Sequence, residues 1–132
     1  MRTLVFILNS AMTLPFGLAA LFAPAAVFAA FGIALDSGGE LVTRGYAATC
    51  LGYGTVFALL RNAGHAETIR ALLWGSLIFN GIEAAIQAMA FFQAIAGASV
   101  WGTVTAHAIL FGVTAKCLFG TQADDLSSDS AP

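Results

Sequence analysis

One stripe of polar residues within a long apolar segment carries the groups most able to do chemistry. Its members are Ser76, Asn80, Glu83 and Gln87. Their 4-3-4 spacing, at about 100° per residue, places them on a helical stripe roughly 60° wide. Hydroxyl, amide and carboxyl groups gathered in this way could bind the polar head of an otherwise apolar molecule, or handle a proton.

The other apolar segments carry similar polar seams. The second has Tyr46, Cys50, Tyr53 and Phe57, the fourth has Thr103, His107, Thr114 and Cys117, and the first has Arg2, Asn9 and Thr13. At about 1.5 Å per residue, Glu83 and His107 lie about one helical turn apart in depth, within reach through a bridging water. The predicted ligand-binding or polar core is therefore Glu83, His107, Asn80, Tyr53, Gln87 and Cys50.

The same residues have a structural interpretation. Amide, hydroxyl and imidazole groups can hydrogen-bond between helices, each bond worth about 0.6–2 kcal/mol. Glu83 favours a functional role, since such packing rarely needs a carboxyl group. The sequence contains no HExxH, GxSxG or P-loop motif and no CxxC or Cys/His ligand spacing, so we predict neither catalytic residues nor a metal site.

The amino-acid composition indicates whether these apolar segments lie in water or in lipid. Of the 132 residues, 59% are hydrophobic and 9% are charged, against about 25% charged in soluble domains. A water-soluble domain of this size could not bury so much apolar surface, so we expect contact with a lipid bilayer. The net charge of −2 and the lack of a basic run exclude nucleic acid as an expected partner.

The pattern predicts an all-α integral membrane protein, an up-down-up-down bundle of four transmembrane helices in one domain of residues 1–120. The expected spans are residues 3–22, 41–60, 71–95 and 100–119, each near the ~20 residues needed to cross a bilayer. Pro24 should interrupt the first and leave a short interfacial helix over residues 25–32. Residues 121–132 read as an acidic, disordered cytoplasmic tail. We expect the first helix to be retained, because its uncharged stretch exceeds a typical signal-peptide core.

Basic residues predict the orientation. Four of them lie at one end of the expected bundle: Arg2, Arg61, Arg70 and Lys116. Only Arg44 falls at the other end. Positive residues favour the cytoplasmic side, which predicts cytoplasmic N- and C-termini.

Several short stretches carry a family resemblance. They are the GLAALFAP stretch at residues 17–24, Phe31-Gly32-Ile33, Arg44-Gly45-Tyr46-Ala47-Ala48 and Leu59-Leu60-Arg61-Asn62. With these, the first half of the chain resembles the small bacterial four-helix membrane proteins of the DoxX-like type. The resemblance implies the bacterial inner membrane, and some members are subunits of quinone-linked complexes. It carries no functional residue over to this sequence.

These observations leave three functional hypotheses. The first is a non-catalytic accessory or scaffold protein, packed in a larger membrane complex or against copies of itself; small size, short loops and small residues on the second helix (Gly45, Ala48, Gly52 and Gly54) favour it. The second is a carrier or binder of a small lipophilic molecule, such as a quinone or isoprenoid, or of a proton. The third is a membrane oxidoreductase or isomerase. No cofactor can be named for any of them.

Overall fold

The computed structural model describes residues 1–128, with side chains to residue 120, and in this part all regular structure is helical. The helices are α1 (Arg2–Phe22), α2 (Pro24–Ala29), α3 (Ser37–Leu60), α4 (Ala66–Phe92) and α5 (Val100–Ser128). Among the described residues, three segments are long and apolar enough to cross a membrane: Arg2–Phe22, Ala66–Phe92 and Val100–Gly120. The predicted all-α class and membrane-type helices are confirmed.

Local sequence sets the boundaries in the first half. Pro24 occupies the first turn of α2, where its missing N–H costs nothing and its fixed φ suits a helix. The short helix predicted after Pro24 is therefore present. The Asp36 carboxylate accepts a hydrogen bond of 2.6 Å from the Gly39 amide and caps α3. Because of this cap, residues 37–40, predicted as part of a connection, form the first turn of α3.

The second half differs from expectation at its helix ends: α4 covers Ala66–Phe92 where residues 71–95 were expected, and α5 extends beyond residue 119. Helix α4 ends at Phe92, and Ala94 reverses the chain with a φ of +56°. The predicted turn at residues 97–99 then leads into α5. Helix α5 continues to Ser128, into the segment predicted to be disordered, since residues 121–128 contain neither glycine nor proline to end it. The rest of the predicted tail, residues 129–132, lies outside the described residues.

Helices α1 and α3 pack closely and run antiparallel. The rings of Phe6 and Phe57 meet edge to face at 5.2 Å, and Gly17 lies against the Ala47 carbonyl. The start of α1 thus contacts the end of α3, and the end of α1 contacts the first half of α3. The two helices form one unit along their length.

Helices α4 and α5 form a second antiparallel unit. Trp74 contacts Phe119 at a ring distance of 5.7 Å, and Phe91 contacts Trp101 at 5.4 Å. The two units meet in a packed apolar core at the end that holds the N-terminus. Its buried members are Val5, Phe6, Phe57, Ile69, Leu73, Leu77, Cys117 and Leu118.

The apolar face of α4 opposite the predicted polar stripe is exposed. Its residues are Ile78, Ile82, Ala85, Met89 and Phe92. In water such a face would be unfavourable, whereas lipid tails are a suitable solvent for it. The opposite face of α4 turns Ser76 and Asn80 inward, and both are fully buried.

Candidate functional site

A layer of buried polar side chains crosses the bundle next to the apolar core. We call it the polar layer; its members are Asn9, Tyr53, Ser76, Asn80, His107 and Thr114. Asn80 is the junction: its Nδ2 donates to the Asn9 Oδ1 at 3.0 Å, and its Oδ1 lies 2.9 Å from the His107 Nδ1. One side chain on α4 thereby joins α1 and α5.

Asn9 extends the layer to the remaining long helix. Its Nδ2 donates to the Val5 carbonyl at 2.8 Å and to the Ser76 Oγ at 3.0 Å, and its Oδ1 accepts from the Tyr53 hydroxyl at 3.0 Å. Ser76 in turn lies 3.2 Å from the Thr114 hydroxyl. Buried polar groups need such partners, and here four helices supply them to one another.

The hydrogen bonds also assign the His107 tautomer. Asn80 uses its amide nitrogen to donate to the Ser76 carbonyl at 2.8 Å, which leaves its oxygen as the acceptor facing His107. The His107 Nδ1 must therefore carry a proton and donate it. In the neutral ring the other nitrogen, Nε2, is then a hydrogen-bond acceptor.

A cavity of about 300 Å³ lies beyond the polar layer, away from the apolar core. All five helices and their connections contribute to its wall. Its apolar part includes Met12, Phe16, Phe28, Phe31, Ile33, Phe79, Ile86, Ala90, Ala96 and Val100, and its polar part includes Thr13, Tyr46, Cys50, Glu83, Gln87, Thr103 and His107. The cavity is thus mainly apolar with a few polar groups, as is usual for small-molecule sites.

Two connections close the end of the cavity that lies furthest from the apolar core. We call them together the cavity cover, which consists of residues 24–33 and 93–99. The Gly97 amide donates to the Phe31 carbonyl at 2.7 Å, and the Ser99 hydroxyl donates to the Ala30 carbonyl at 2.8 Å. Gly32, at a φ of +76°, allows the turn that a side chain would strain. These bonds tie the two helical units together over the cavity.

Glu83 and Gln87 are half-buried and line the same wall of the cavity. The Gln87 Nε2 donates to the Glu83 Oε2 at 3.1 Å, and the Gln87 Oε1 is buried without a hydrogen-bond partner. Within the described part of the chain Glu83 has no ion pair; the pair between Arg44 and Glu40, at 3.1 Å, lies at the surface. The cavity therefore contains a carboxyl group without a cationic partner.

Aromatic rings surround these acceptors. Phe16 and Tyr46 meet at 5.9 Å between ring centres, Phe28 and Phe31 at 6.3 Å, and Phe79 lies 6.0 Å from the His107 ring. The Tyr46 hydroxyl interacts with both Glu83 and Cys50. Aromatic rings from α1, α2, α3 and α4 thus line the same cavity as the polar groups.

The structure separates the six predicted site residues into two groups. Glu83, Gln87, His107 and Cys50 line the cavity, whereas Asn80 and Tyr53 lie in the polar layer. Glu83 and His107, which were expected to lie close together, line the same cavity and interact electrostatically. Their hydrogen bonds go elsewhere, from His107 to Asn80 and from Gln87 to Glu83.

Asn9 and Tyr46 were absent from the predicted site. Asn9 is fully buried and forms hydrogen bonds with three side chains on two other helices, Tyr53 on α3 and Ser76 and Asn80 on α4. The sequence did contain a signal for it, since Asn9 is the only amide side chain in α1. Tyr46 belonged to the predicted seam of α3, but nothing in its spacing indicated contact with Glu83.

Both cysteines are buried and neither forms a disulfide; Cys50 lies at the cavity and Cys117 in the apolar core. Within the described residues no group of three or more His, Cys, Asp or Glu side chains could hold a metal ion. The geometry of the site is that of a binding cavity. Comparisons with family models, with curated proteins and with solved structures find no match.

Proposed function

We propose that this chain is a four-span protein of the bacterial inner membrane that binds a small lipophilic molecule in its cavity. The cavity of about 300 Å³ carries this proposal, because it combines a mainly apolar wall with polar groups from α1, α3, α4 and α5. An apolar cavity of about 150 Å³ can hold benzene. The volume here suits a ring with a short alkyl chain and a polar head.

The fourth span of the proposal is α3. Its 24 residues would extend over about 36 Å at 1.5 Å per residue, enough to cross the hydrocarbon core of about 30 Å. It lies antiparallel against α1, itself apolar enough to span. Between Arg44 and Arg61 it carries no charge. These features support an up-down-up-down bundle.

The basic residues support the proposed orientation. Arg2, Arg61, Arg70 and Lys116 lie at the end of the bundle that holds the apolar core, and Arg44 lies at the cavity end. The positive-inside rule then places both termini in the cytoplasm. The cavity falls in the outer half of the membrane, and the cavity cover lies at the outer surface.

A cavity-filling substitution tests the binding function. Ala90 lines the cavity, whereas Ala85 lies on the exposed face of the same helix. We expect Ala90→Phe to weaken binding of 4-phenyl-1-butanol, measured by equilibrium dialysis in maltoside micelles, by about tenfold or more (at least ~1.4 kcal/mol). Ala85→Phe is the matched control and should bind like the wild type. Equal binding by all three proteins would place the ligand in the micelle and contradict the proposal.

A second function, accessory or scaffold protein, is favoured by the outer face of α3. Gly45, Ala48 and Gly52 are exposed there, and no heavy atom lies within 4 Å of a Cβ built at Gly45 or Gly52. Small residues on a membrane helix permit close approach of another helix. The DoxX-like resemblance agrees with this proposal, since some such proteins are subunits of larger complexes.

Assembly can be tested with matched glycines. Gly52→Leu would fill the small-residue face of α3, while Gly75→Leu adds the same side chain at an exposed, open position of α4. We expect light scattering in mild detergent to show a smaller particle for Gly52→Leu alone. A monomeric wild type without co-purifying protein would remove the scaffold proposal and leave the binding proposal intact.

A further inference from the structure

We propose that the cavity selects lipophilic amines in their protonated form, with Glu83 as the counter-ion and the surrounding aromatic rings as the cage for the ammonium group. This inference rests on the proposed binding function and names its ligand class. It is argued from the direction of the cavity's hydrogen bonds, from the Glu83 carboxyl group, which has no ion pair within the described residues, and from the aromatic wall.

The polar groups of the cavity mainly accept hydrogen bonds. The Thr13 hydroxyl donates to the Asn9 carbonyl at 2.7 Å, and the Thr103 hydroxyl donates to the Val100 carbonyl at 2.8 Å. Both donors are therefore already used within the bundle. The neutral His107 ring offers Nε2 as an acceptor, because Nδ1 donates to Asn80. The Tyr46 hydroxyl and the Cys50 thiol are also donors on this wall, and Tyr46 interacts with both Glu83 and Cys50. A ligand that reaches the Glu83 carboxyl group or the His107 Nε2 must supply a donor of its own.

Gln87 points to the same requirement. Its Nε2 is used on Glu83 at 3.1 Å, and its Oε1 is buried without a partner. A buried acceptor without a partner is unfavourable. After rotation of this flexible side chain, an N–H group in the cavity would satisfy it.

The charge distribution favours a cation over a neutral donor. None of the five Arg and Lys side chains lines the cavity, and within the described residues Glu83 has no ion pair. A carboxylate at this depth costs a few kcal/mol unless a positive charge accompanies it. A protonated amine supplies that charge together with two or three N–H donors, whereas an alcohol supplies one donor and no charge.

The aromatic wall gives an ammonium group a second favourable contact. Phe16, Tyr46 and Phe79 line the cavity together with Glu83, and Phe28 and Phe31 lie on the cavity cover. Ring faces attract cations, and rings arranged as a cage are a common way to bind ammonium groups. An apolar tail would fill the remaining, aliphatic part of the wall.

Matched probes of one shape test the inference. 4-Phenylbutylamine and 4-phenyl-1-butanol differ only in the head group, and an alkylamine (pKa about 10) is protonated at pH 7. We expect the full chain in neutral maltoside micelles to bind the amine about 10- to 100-fold more tightly than the alcohol, as hydrogen bonds to charged groups imply. Isothermal titration calorimetry gives both affinities.

Substitution of Glu83 tests whether this residue causes the preference for the amine over the alcohol. Glu83→Gln keeps the shape and removes the charge, and the ratio of the two affinities should fall to about one. Glu67→Gln makes the same change at an exposed position of the same helix and should keep the wild-type ratio. Since Glu83→Gln could fail to fold, Glu83→Asp provides a second variant, which should retain the preference for the amine.

Each outcome of this experiment has one meaning. Equal affinities in the wild type would overturn the inference while leaving the proposed binding function standing. A preference for the amine that survives in Glu83→Gln would overturn the assignment to Glu83. Binding of neither probe would contradict the proposed function itself, and binding of both by Ala90→Phe would locate them outside the cavity.

Discussion

Asn80 shows how much of this molecule depends on single amide groups. Its side chain contacts residues of α1, α4 and α5 through Asn9, Ser76 and His107. Since hydrophobic burial does not drive helices together in lipid, packing and such bonds do. The polar layer therefore both joins the helices and forms the floor of the cavity, with His107 belonging to both.

Removal of this junction should be costly. We predict that Asn80→Ala lowers the free energy of unfolding by about 1–3 kcal/mol, because Asn9 and His107 lose buried partners. Asn62→Ala, in the exposed connection before α4, is the matched control and should have little effect. Denaturation in mixed detergent micelles measures both, and equal stability of the two variants would show that the polar layer is not a structural element.

At the residue scale, the sequence predicted which side chains of a helix face the interior of the bundle. It did not predict which of these side chains form hydrogen bonds with one another. The 4-3-4 spacing correctly placed Ser76, Asn80, Glu83 and Gln87 on the inner side of α4. Which groups then bond depends on the rotation and relative shift of neighbouring helices, which periodicity within one helix cannot provide. For this reason His107 was expected beside Glu83, while its hydrogen bond is to Asn80.

At the scale of helices, glycine positions on α3 explain the close packing of α1. A Cβ at Gly54 would lie 2.5 Å from the Thr13 Oγ1 and 2.8 Å from the Leu14 Cγ, while one at Gly52 would meet nothing within 4 Å. Gly54 is thus the contact point, and Gly52 faces outward. The predicted small-residue surface is divided between an inner and an outer side of the helix.

This division gives a prediction within one helix. Gly54→Ala should lower stability by about 1–3 kcal/mol through overpacking. Gly52→Ala should leave stability unchanged or raise it by up to about 1 kcal/mol, owing to higher helix propensity. Thermal unfolding of the two variants in the same detergent provides the comparison. A harmless Gly54→Ala would contradict the close contact between α1 and α3.

The cavity cover gives a kinetic prediction. Ser99 is exposed, and its hydroxyl bond of 2.8 Å to the Ala30 carbonyl joins the two connections. Its loss in Ser99→Ala should speed release of 4-phenyl-1-butanol by about two- to tenfold, since such a bond is worth about 0.5–1.5 kcal/mol. Exchange measured by NMR tests this. Thr49→Ala, which removes an exposed hydroxyl bonded within α3 alone, should release the probe at the wild-type rate.

Helix positions followed from the sequence more closely than helix ends. Long apolar runs identified α1 and α4, and Pro24 identified the short α2, because these signals lie in consecutive residues. The start of α3 was placed late because the Asp36 cap makes a helical turn from residues that look like a loop. The cavity could not be predicted at all, since it is the space left between elements distant in the chain.

At the scale of the whole molecule, three layers follow one another along the bundle. Packed apolar side chains fill the end at the N-terminus, the polar layer follows, and the cavity lies at the far end under its cover. In the proposed four-span topology and orientation, the end with the packed apolar core faces the cytoplasm and the cavity lies in the outer half of the membrane.

Reporter fusions can count the spans. We predict that alkaline phosphatase is active when fused after residue 36 or 98, and that green fluorescent protein is fluorescent after residue 64 or 128. The positive-inside orientation and the crossing of α3 require this alternation. If α3 did not cross, the fusions after residues 36 and 64 would report the same side of the membrane.

The binding site itself is tested most directly by photolabelling. A diazirine derivative of 4-phenyl-1-butanol, bound to the full chain in micelles and activated by light, marks the residues that it touches. Peptide mass spectrometry should find the label on the cavity residues Phe16, Phe79 and Val100, and excess 4-phenyl-1-butanol should prevent it. Label confined to the exposed residues Ile78, Ile82 and Met89, without competition, would contradict the account.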